Sequence, residues 1–169
     1  MDNIRQAAGP LYLRVLGHSV WLAALATLGC FLIGYPMAMI LAQCRVKYRH
    51  MMVMLIIIPM WMNFLLRTYA WMTLLEKNGL INAILRFFHL GPLHILYTDG
   101  AVLLGMVYNF LPFMILPIYS VLTKMDRSLL EAAGDLGADA WTSFRRVTFP
   151  LSLPGVYAGM LMVFMPAVT

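Results

Sequence analysis

The most polar stretch of the sequence, EAAGDLGADAWTSFRRVTFP at residues 131–150, begins with an acid that could donate a proton in catalysis. Glu131 is that acid, and Asp135 and Asp139 add negative charge after it. A general acid must lie within hydrogen-bond reach of its substrate and is tuned by its neighbours. No histidine or second carboxylate stands at a fixed catalytic spacing from Glu131, which we expect on a solvated helix start. The pattern therefore favours capping and docking over catalysis.

Histidine, cysteine and methionine are the other residue types here that could hold a metal ion. The four histidines share no ligand spacing, and the two cysteines form neither a metal pair nor a disulfide framework. The 15 methionines are scattered among apolar residues, which favours packing over copper binding. Neither a metal site nor a cofactor is predicted. The histidines and cysteines are His18, His50, His89, His94, Cys30 and Cys44.

The composition is that of a membrane protein. Hydrophobic residues make up 62% of the 169 positions and charged residues 11%, with a mean hydropathy of +0.81. A soluble domain carries about 25% charged residues, so this chain lacks the polar surface to cover itself in water. The net charge of +5 comes from basic residues that flank apolar runs instead of forming a stripe with aromatics. That placement argues against nucleic acid as a partner.

Four apolar runs could cross a bilayer, each judged against the ~20 residues that a span needs. The first belongs to a 30-residue stretch without charge between Arg14 and Arg45, too long for a signal peptide. It contains Pro36, where we expect a kink rather than a stop. In the last run Pro150 and Pro154 predict an irregular opening, which leaves ~22 Å of helix against a ~30 Å core. The expected spans are 19–43, 51–75, 100–123 and a partial one at 155–169.

Isolated polar residues inside these runs are candidates for a translocation path or gate. Arg67 lies ~24 Å along a straight helix from Met51, close to the far interface, where an arginine can snorkel. Its neighbours Tyr69 and Trp71 suit an aromatic belt. An interface anchor and a gate-lining role for these three residues both stay open. Asn109 is expected to make an interhelical hydrogen bond or to line the path.

The basic residues favour one orientation. Seven of them fall in two segments that a three-span arrangement places on the same side, and four fall on the other side. By the positive-inside rule the first side is cytoplasmic. Between the second and third runs, the segment 76–99 is expected to contain an amphipathic helix in the interface that ends at Gly91-Pro92. The seven are Arg45, Lys47, Arg49, Lys124, Arg127, Arg145 and Arg146.

The polar segment itself predicts two short helices. Ser128 and Glu131 have the spacing of a capping box, so a helix should begin near Leu129. Ala133 and Gly137 are four residues apart and would lie on one face, where small side chains let another surface approach the backbone. A second helix is expected over 139–146, before Pro150. Two exposed polar helices at an angle suggest a docking surface.

The same segment resembles the EAA loop of ABC-importer permeases. That signature reads Glu-Ala-Ala, three residues, Gly, nine residues, an aliphatic residue, one residue, and a hydrophobic residue followed by Pro. Here Glu131-Ala132-Ala133 and Gly137 fit, and Val147 and Phe149-Pro150 fit with mild changes. RTYAWMTLLEKNGLINAIL, LPFMILPIYSVL and FRRVTFPLSLPGV look like the spermidine/putrescine-type branch. The resemblance covers most of the chain from about residue 12.

The resemblance implies an all-α, type I ABC importer permease fold with about six spans. This chain, taken as a single transmembrane domain over 1–169, matches the middle of that fold. We therefore expect truncation at both ends, about three full spans with a partial fourth, and a cytoplasmic coupling loop at 124–150. In the family this loop carries a coupling helix that fits a groove on the ATP-hydrolysing subunit. By position the docking residues would be Glu131, Ala132, Ala133, Asp135 and Gly137.

The resemblance also implies a multi-pass protein of the bacterial inner membrane with no enzymatic activity and no cofactor, since ATP binds a partner. The expected partners are a pair of ABC ATPases, a second permease subunit, an extracytoplasmic solute-binding protein and membrane lipid. Polyamine is the expected solute. A permease for iron, thiosulfate or another small solute stays open, as does a truncated fragment that does not transport. An ion-driven carrier ranks last, because it would want carboxylates in its spans.

Overall fold

The computed structural model describes residues 10–76, 79, 82–83 and 98–168, and this part of the chain is helical, with no strand. The expected all-α fold is confirmed. The expected interfacial helix at 76–99 lies almost wholly outside the described residues. The helices are α1 Pro10–Gln43, α2 Val46–Trp61, α3 Phe64–Leu75, α4 Asp99–Lys124, α5 Arg127–Asp135, α6 Ala140–Ser143 and α7 Phe149–Val168, with a π-helical turn at Phe144–Thr148 between α6 and α7.

Three long helices, α1, α4 and α7, pack against one another and form the core. α1, α4 and the continuous helical stretch Ala140–Val168 that contains α7 are each long and apolar enough to cross a membrane. The buried side chains are mostly aliphatic, and Met114, Ile115 and Ile118 of α4 lie at the centre with no exposed surface. Large apolar side chains on the outer faces, such as Leu32, are exposed, as suits helices that face lipid.

Small residues set the distance between α4 and α7. A Cβ atom on Gly155 would lie 2.9 Å from the Pro117 carbonyl oxygen and 3.0 Å from the Ile118 Cα atom. One on Gly159 would lie 2.9 Å from the Met114 sulfur. The two glycines are four residues apart and share a face, which is the small-residue pattern that lets membrane helices approach closely. The backbones of α4 and α7 therefore touch.

A buried polar link joins α1 to α7. The Ser152 hydroxyl donates to the Phe149 carbonyl at 2.8 Å, so it accepts from the Tyr35 hydroxyl at 2.9 Å. Ser152 is fully buried and Tyr35 nearly so. Because unpaired polar groups are costly in an apolar interior, this pairing favours one register between the two helices.

The second apolar run is not the straight helix expected over 51–75. It forms α2 and α3, which meet at an angle of 95° around Met62 and Asn63. Pro59 lies in the last turn of α2, and Asn63 caps α3 by accepting a hydrogen bond from the Leu65 N–H at 2.9 Å. Asn is a strong cap and a proline weakens the helix before it, so the local sequence favours a new helix start here. The estimate that Arg67 lies 24 Å along one helix is therefore wrong.

The last apolar helix is longer and more regular than expected. Helical structure continues from Ala140 to Val168, long enough to span, and regular α-helix resumes at Phe149 instead of near Gly155. Pro150 does not end it, because the π-helical turn directly before it already interrupts the regular hydrogen-bond pattern to which the proline cannot contribute an N–H. The π-helical turn just before it supplies the extra residue that re-registers the backbone.

Candidate functional site

The polar segment that follows α4 forms a helix–turn–helix. Its first helix, α5, begins at Arg127, two residues before the start near Leu129 that the sequence predicts. Asp126, not Ser128, is the N-cap of α5, and its carboxylate accepts a hydrogen bond from the Ser128 N–H at 3.0 Å. The expected capping box between Ser128 and Glu131 is therefore wrong. The aspartate side chain directly before the helix can accept a hydrogen bond from the free N–H groups of the first turn. Its negative charge also complements the positive end of the helix dipole.

Gly137 ends α5 in a left-handed conformation with φ of 79°. The Gly137 N–H donates to the Gly134 carbonyl at 2.9 Å, and the Ala138 N–H donates to the Ala133 carbonyl at 3.0 Å. These two bonds are those of a Schellman motif, in which glycine is favoured because it has no Cβ atom. Gly137 therefore serves as a helix stop and not, as expected, as part of a small-residue face with Ala133.

Asp139 begins the second short helix. Its carboxylate accepts a hydrogen bond from the Thr142 N–H at 3.2 Å and caps α6. The expected helix over 139–146 is correct in its start, but it runs on through the π-helical turn into α7. Asp126, Gly137 and Asp139 thus fix both ends of α5 and the start of α6, which makes the segment a defined shape and not a loose loop.

Most of α5 is exposed. Glu131, Ala132, Asp135 and Gly137 are exposed, whereas Ala133 is half-buried on the side toward the protein. Leu136 is 89% exposed, the highest value among the exposed large apolar side chains of the described residues. Leu136 lies outside the candidate spans, so contact with lipid does not account for its exposure, and we treat it as a candidate contact for a partner. Sequence reasoning passed over Leu136, although its place directly before the helix-ending Gly137 was a usable signal.

A cavity of about 430 Å³ lies between α5 and the basic turn that connects α1 to α2. Glu131 and Arg49 both line it, together with the ends of α1 and α4. The Arg49 guanidinium donates to the Ala42 carbonyl at 3.0 Å, which satisfies one of the free carbonyls at the end of α1. Residues 42–49 and 123–131 therefore lie at the same end of the bundle, as the distribution of basic residues predicts.

The caps predict how the segment responds to pH. Hydrogen bonds from Ser128 lower the pKa of Asp126, and those from the Thr142 side chain and backbone lower the pKa of Asp139. A lowered folded-state pKa means that the stabilisation is complete above the ordinary Asp value and is lost as pH falls through the lowered one. We expect amide exchange at Ser128 and Thr142 to be slow at neutral pH and to become faster relative to the rest of α5 below about pH 4.

Amide hydrogen exchange measured across that pH range checks this expectation, with two matched variants. Asp126→Asn keeps a good cap without a titratable group, so protection at Ser128 should lose its pH dependence. Asp135→Asn changes an exposed carboxylate that caps nothing and should leave both amides as in the wild type. A pH dependence at Ser128 that persists in Asp126→Asn would contradict the assignment of this cap.

The second group of candidate residues surrounds the break between α2 and α3. The Arg67 guanidinium donates to the Pro59 carbonyl at 3.2 Å, and its Nε atom is buried without a partner in the described part of the chain. Trp71 contacts Tyr108 of α4 edge to face, with ring centroids 5.1 Å apart. Tyr69 is 66% exposed. Arg67 therefore bridges the break, and Trp71 ties α3 to α4.

Asn109 is the fourth of these candidates. Its Oδ1 atom is buried and has no hydrogen-bond partner among the described residues, so the expected interhelical bond through that oxygen is not formed here. The first group of candidates lies near the start of α2 and Arg67 just beyond its end, separated by ~24 Å of helix. The two groups are therefore distinct sites. No set of three His, Cys, Asp or Glu side chains that could hold a metal gathers within the described ranges.

Known proteins resemble this chain over nearly all of its length. Residues 31–169 match a protein family described as the binding-protein-dependent transport system inner membrane component. The chain is 43% identical over 169 residues to the spermidine/putrescine transport system permease protein PotB of Escherichia coli (strain K12), covering 99% of this chain and 62% of that protein. It is 42% identical over 169 residues to PotB of Haemophilus influenzae, covering 99% of this chain and 59% of that protein.

A more distant relative gives the same kind of match. The inner membrane ABC transporter permease protein YdcU of Escherichia coli (strain K12) is 32% identical over 178 residues, covering 97% of this chain and 57% of that protein. The chain thus spans about three fifths of the length of the curated relatives that it matches.

Proposed function

This chain belongs to the family of binding-protein-dependent transport system inner membrane components, and from that membership we propose that it acts as a permease subunit of an ABC importer for polyamines. The family consists of transport components and not of enzymes. With three helices long enough to span and a bent fourth pair, the chain is a multi-pass protein of the inner membrane. The observation that carries the polyamine assignment is the 43% identity to PotB over 169 residues.

In the proposed mechanism, α5 docks on an ABC ATPase. Binding hydrophobic side chains in a pocket contributes much of the affinity at such interfaces, and Leu136, flanked by Glu131 and Asp135, offers one exposed anchor. The ATPase would come as a pair, with a second permease subunit and an extracytoplasmic solute-binding protein completing the importer. ATP binds the partner, so this chain needs no cofactor of its own.

The fold supplies a rigid route from the docking helices to the bundle. α5 packs against the π-helical turn, and that turn is continuous with α7. α7 is locked to α4 through Gly155 and to α1 through the Ser152–Tyr35 hydrogen bond. In the proposal, a push on α5 would reach three packed helices together and rock them as a rigid body between two states.

We also propose that α3 lines the translocation path, with Arg67, Tyr69, Trp71 and Asn109 near it. Broken helices at membrane depth are tolerated where they face protein or a water-filled cavity. An arginine is a poor ligand for a cationic polyamine, and the runs at 19–43, 51–75, 100–123 and 155–169 contain no Asp or Glu. Selection of the solute would then rest with the partner permease or the binding protein.

Titration of the ATPase subunit against the permease in nanodiscs tests the docking step. We expect Leu136→Ser to weaken binding at least about tenfold, since ~1.4 kcal/mol is tenfold and a buried leucine contributes about 1.5–3 kcal/mol. Leu136→Met keeps an apolar side chain of similar size and should bind like the wild type. Equal affinity for the serine variant and the wild type would rule out α5 as the docking helix.

Uptake of labelled spermidine and putrescine tests the solute. The permease carrying these residues would be expressed with its ATPase, partner permease and binding protein in cells that lack other polyamine uptake. We expect ATP-dependent accumulation that Leu136→Ser reduces and Leu136→Met preserves. Uptake of iron or thiosulfate instead would show that the chain is a permease for another solute. No uptake of any solute, together with normal ATPase binding, would indicate a docking protein that does not transport.

A further inference from the structure

An apolar groove with one basic residue at its rim lies on the outer surface where α1 meets the π-helical turn. Its volume is about 380 Å³. Phe31, Leu32 and Tyr35 of α1 form one wall, and Trp141 and Phe144 form the other, with Arg145 the charged residue that lines it. None of the proposed docking residues on α5 lines this groove, so it is separate from the docking site.

The wall opposite α1 is held in place by ring contacts. Trp141 stacks on Phe144 with centroids 5.6 Å apart and an interplanar angle of 28°, and Phe144 meets Tyr35 edge to face at 6.0 Å. Tyr35 is in turn fixed by its hydrogen bond to Ser152. Trp141 remains 66% exposed although it stacks on Phe144. The groove is therefore a formed feature of the bundle, open on one side.

Arg145 lies at the end of the bundle that carries most of the basic residues. It is exposed, as is Arg146 beside it, and it is preceded by an exposed tryptophan. Arginine and tryptophan together are typical of the level of the lipid headgroups, where a ring faces the acyl region and a guanidinium faces phosphate. A guanidinium also binds phosphate through two parallel hydrogen bonds.

An exposed apolar strip leads away from the groove along α1. Leu32, Leu28 and Trp21 recur at spacings of four and seven residues and so share one face, and their exposed fractions are 62%, 52% and 63%. The strip is ~16 Å long from Leu32 to Trp21. Half of a ~30 Å hydrocarbon core is ~15 Å, which is the depth of one leaflet.

We propose that this groove binds an anionic phospholipid of the cytoplasmic leaflet. The phosphate pairs with Arg145 next to the ring of Trp141, and one acyl chain enters the groove and follows Leu32 and Leu28 into the membrane. The positive rim matches an anionic headgroup, and the apolar lining with its strip matches an acyl chain of one leaflet. The acyl chain of a zwitterionic lipid would also fit the apolar strip, but its headgroup, which has no net charge, would be attracted less strongly to Arg145.

Fluorescence quenching of the reconstituted full chain tests the site. The probe is Trp141, isolated as the difference between the wild type and Trp141→Phe, and the quenchers are brominated phosphatidylglycerol and brominated phosphatidylcholine in otherwise identical vesicles. We expect phosphatidylglycerol to be favoured about fivefold at Trp141, the factor for one basic residue near the lipid surface. Arg145→Gln should reduce that preference to about one.

Arg146→Gln is the matched control, because Arg146 lies in the same turn, is exposed, and does not line the groove. It should keep the preference of the wild type, and Leu32→Gln should weaken quenching by both lipids. Equal quenching by the two lipids, or equal losses in Arg145→Gln and Arg146→Gln, would overturn the proposal. Quenching by neither lipid would also overturn it. If, in addition, Trp141 were shielded from an aqueous quencher only when a partner subunit is present, the occupant of the groove would be a protein helix.

Discussion

Replacement of Gly155 by leucine should destabilise the helix bundle by about 3 kcal/mol, toward the upper end of overpacking costs. The Cβ atom alone would lie 2.9 Å from the Pro117 carbonyl oxygen and 3.0 Å from the Ile118 Cα atom. Both are backbone atoms, so no side-chain rotation relieves the contact. α4 and α7 must move apart, and the contacts between them are lost.

Reversible unfolding of the chain in mixed micelles, followed by circular dichroism, measures this loss. The matched control is Gly105→Leu, in the second turn of α4, where an added Cβ atom meets nothing within 4 Å. Both changes add the same side chain to a helix in a span, so they share the same gain in helix propensity and apolar area. We expect Gly105→Leu to leave stability unchanged or to raise it by up to about 1 kcal/mol, the difference in helix propensity between glycine and a good helix former. Equal losses for the two variants would mean that α4 and α7 do not approach as closely at Gly155.

Gly155 also illustrates what sequence reasoning could and could not predict. The apolar runs, their number and the basic end of the bundle followed from composition and charge, because the bilayer imposes length and polarity on every span. Which face of each span is buried did not follow. In lipid the outer face is as apolar as the inner one, so periodicity carries little information about packing, and Gly155 and Gly159 became visible as contact residues only once α4 was placed against them.

The polar segment at 124–150 could be predicted for a different reason. It lies outside the apolar runs, so caps, acids and glycine act locally and by spacing. Its position and its two helices were predicted, while the cap was assigned to Ser128 because the capping box competes with a simpler carboxylate cap at Asp126. The role of Gly137 was also misread, since its spacing from Ala133 fits both a small-residue face and a helix stop. Only the backbone conformation separates these two.

The break between α2 and α3 was the largest difference from expectation, and its cause lies outside the hydrophobic pattern. The run over 51–75 is apolar throughout, so its length predicted one span. Pro59, with Asn63 four residues later, carries the signal for a new helix start. Proline is tolerated inside spans that only kink, which is why the sequence alone did not distinguish a kink from a bend of 95°.

Replacement of Arg67 by leucine should loosen that bend and cost about 2–3 kcal/mol. At the break the Pro59 carbonyl has only a long 3.4 Å contact from the Met62 N–H, and the Arg67 guanidinium supplies the second donor at 3.2 Å. Hydrogen bonds to charged groups contribute about 1.5–3 kcal/mol, and an unsatisfied carbonyl in the apolar phase is costly. Without Arg67, α3 should sample a range of angles relative to α2.

Pulsed electron–electron double resonance measures the distance between spin labels at Met54→Cys on α2 and Met72→Cys on α3, which depends on the angle between the two helices. Both positions are exposed. Cys30 is buried, and Cys44 would be replaced by serine to leave two labelled sites. The wild type should give one narrow distance distribution, and Arg67→Leu a broad one shifted to longer distances. Tyr69→Phe removes only the hydroxyl of an exposed neighbour and should match the wild type.

Arg67→Lys distinguishes an arginine that braces the bend from one that only anchors the chain at the membrane interface. An ammonium group can still donate one hydrogen bond to the Pro59 carbonyl, so a residue that braces the bend should be largely rescued by lysine in the distance distribution. An arginine that only anchors the chain at the interface would leave the distribution unchanged in all three variants, because snorkelling places no constraint on the angle between α2 and α3. A broad distribution in Arg67→Leu that narrows again in Arg67→Lys therefore assigns Arg67 to the bend. If uptake falls in the leucine variant and recovers with lysine, the bend itself is part of the transport cycle.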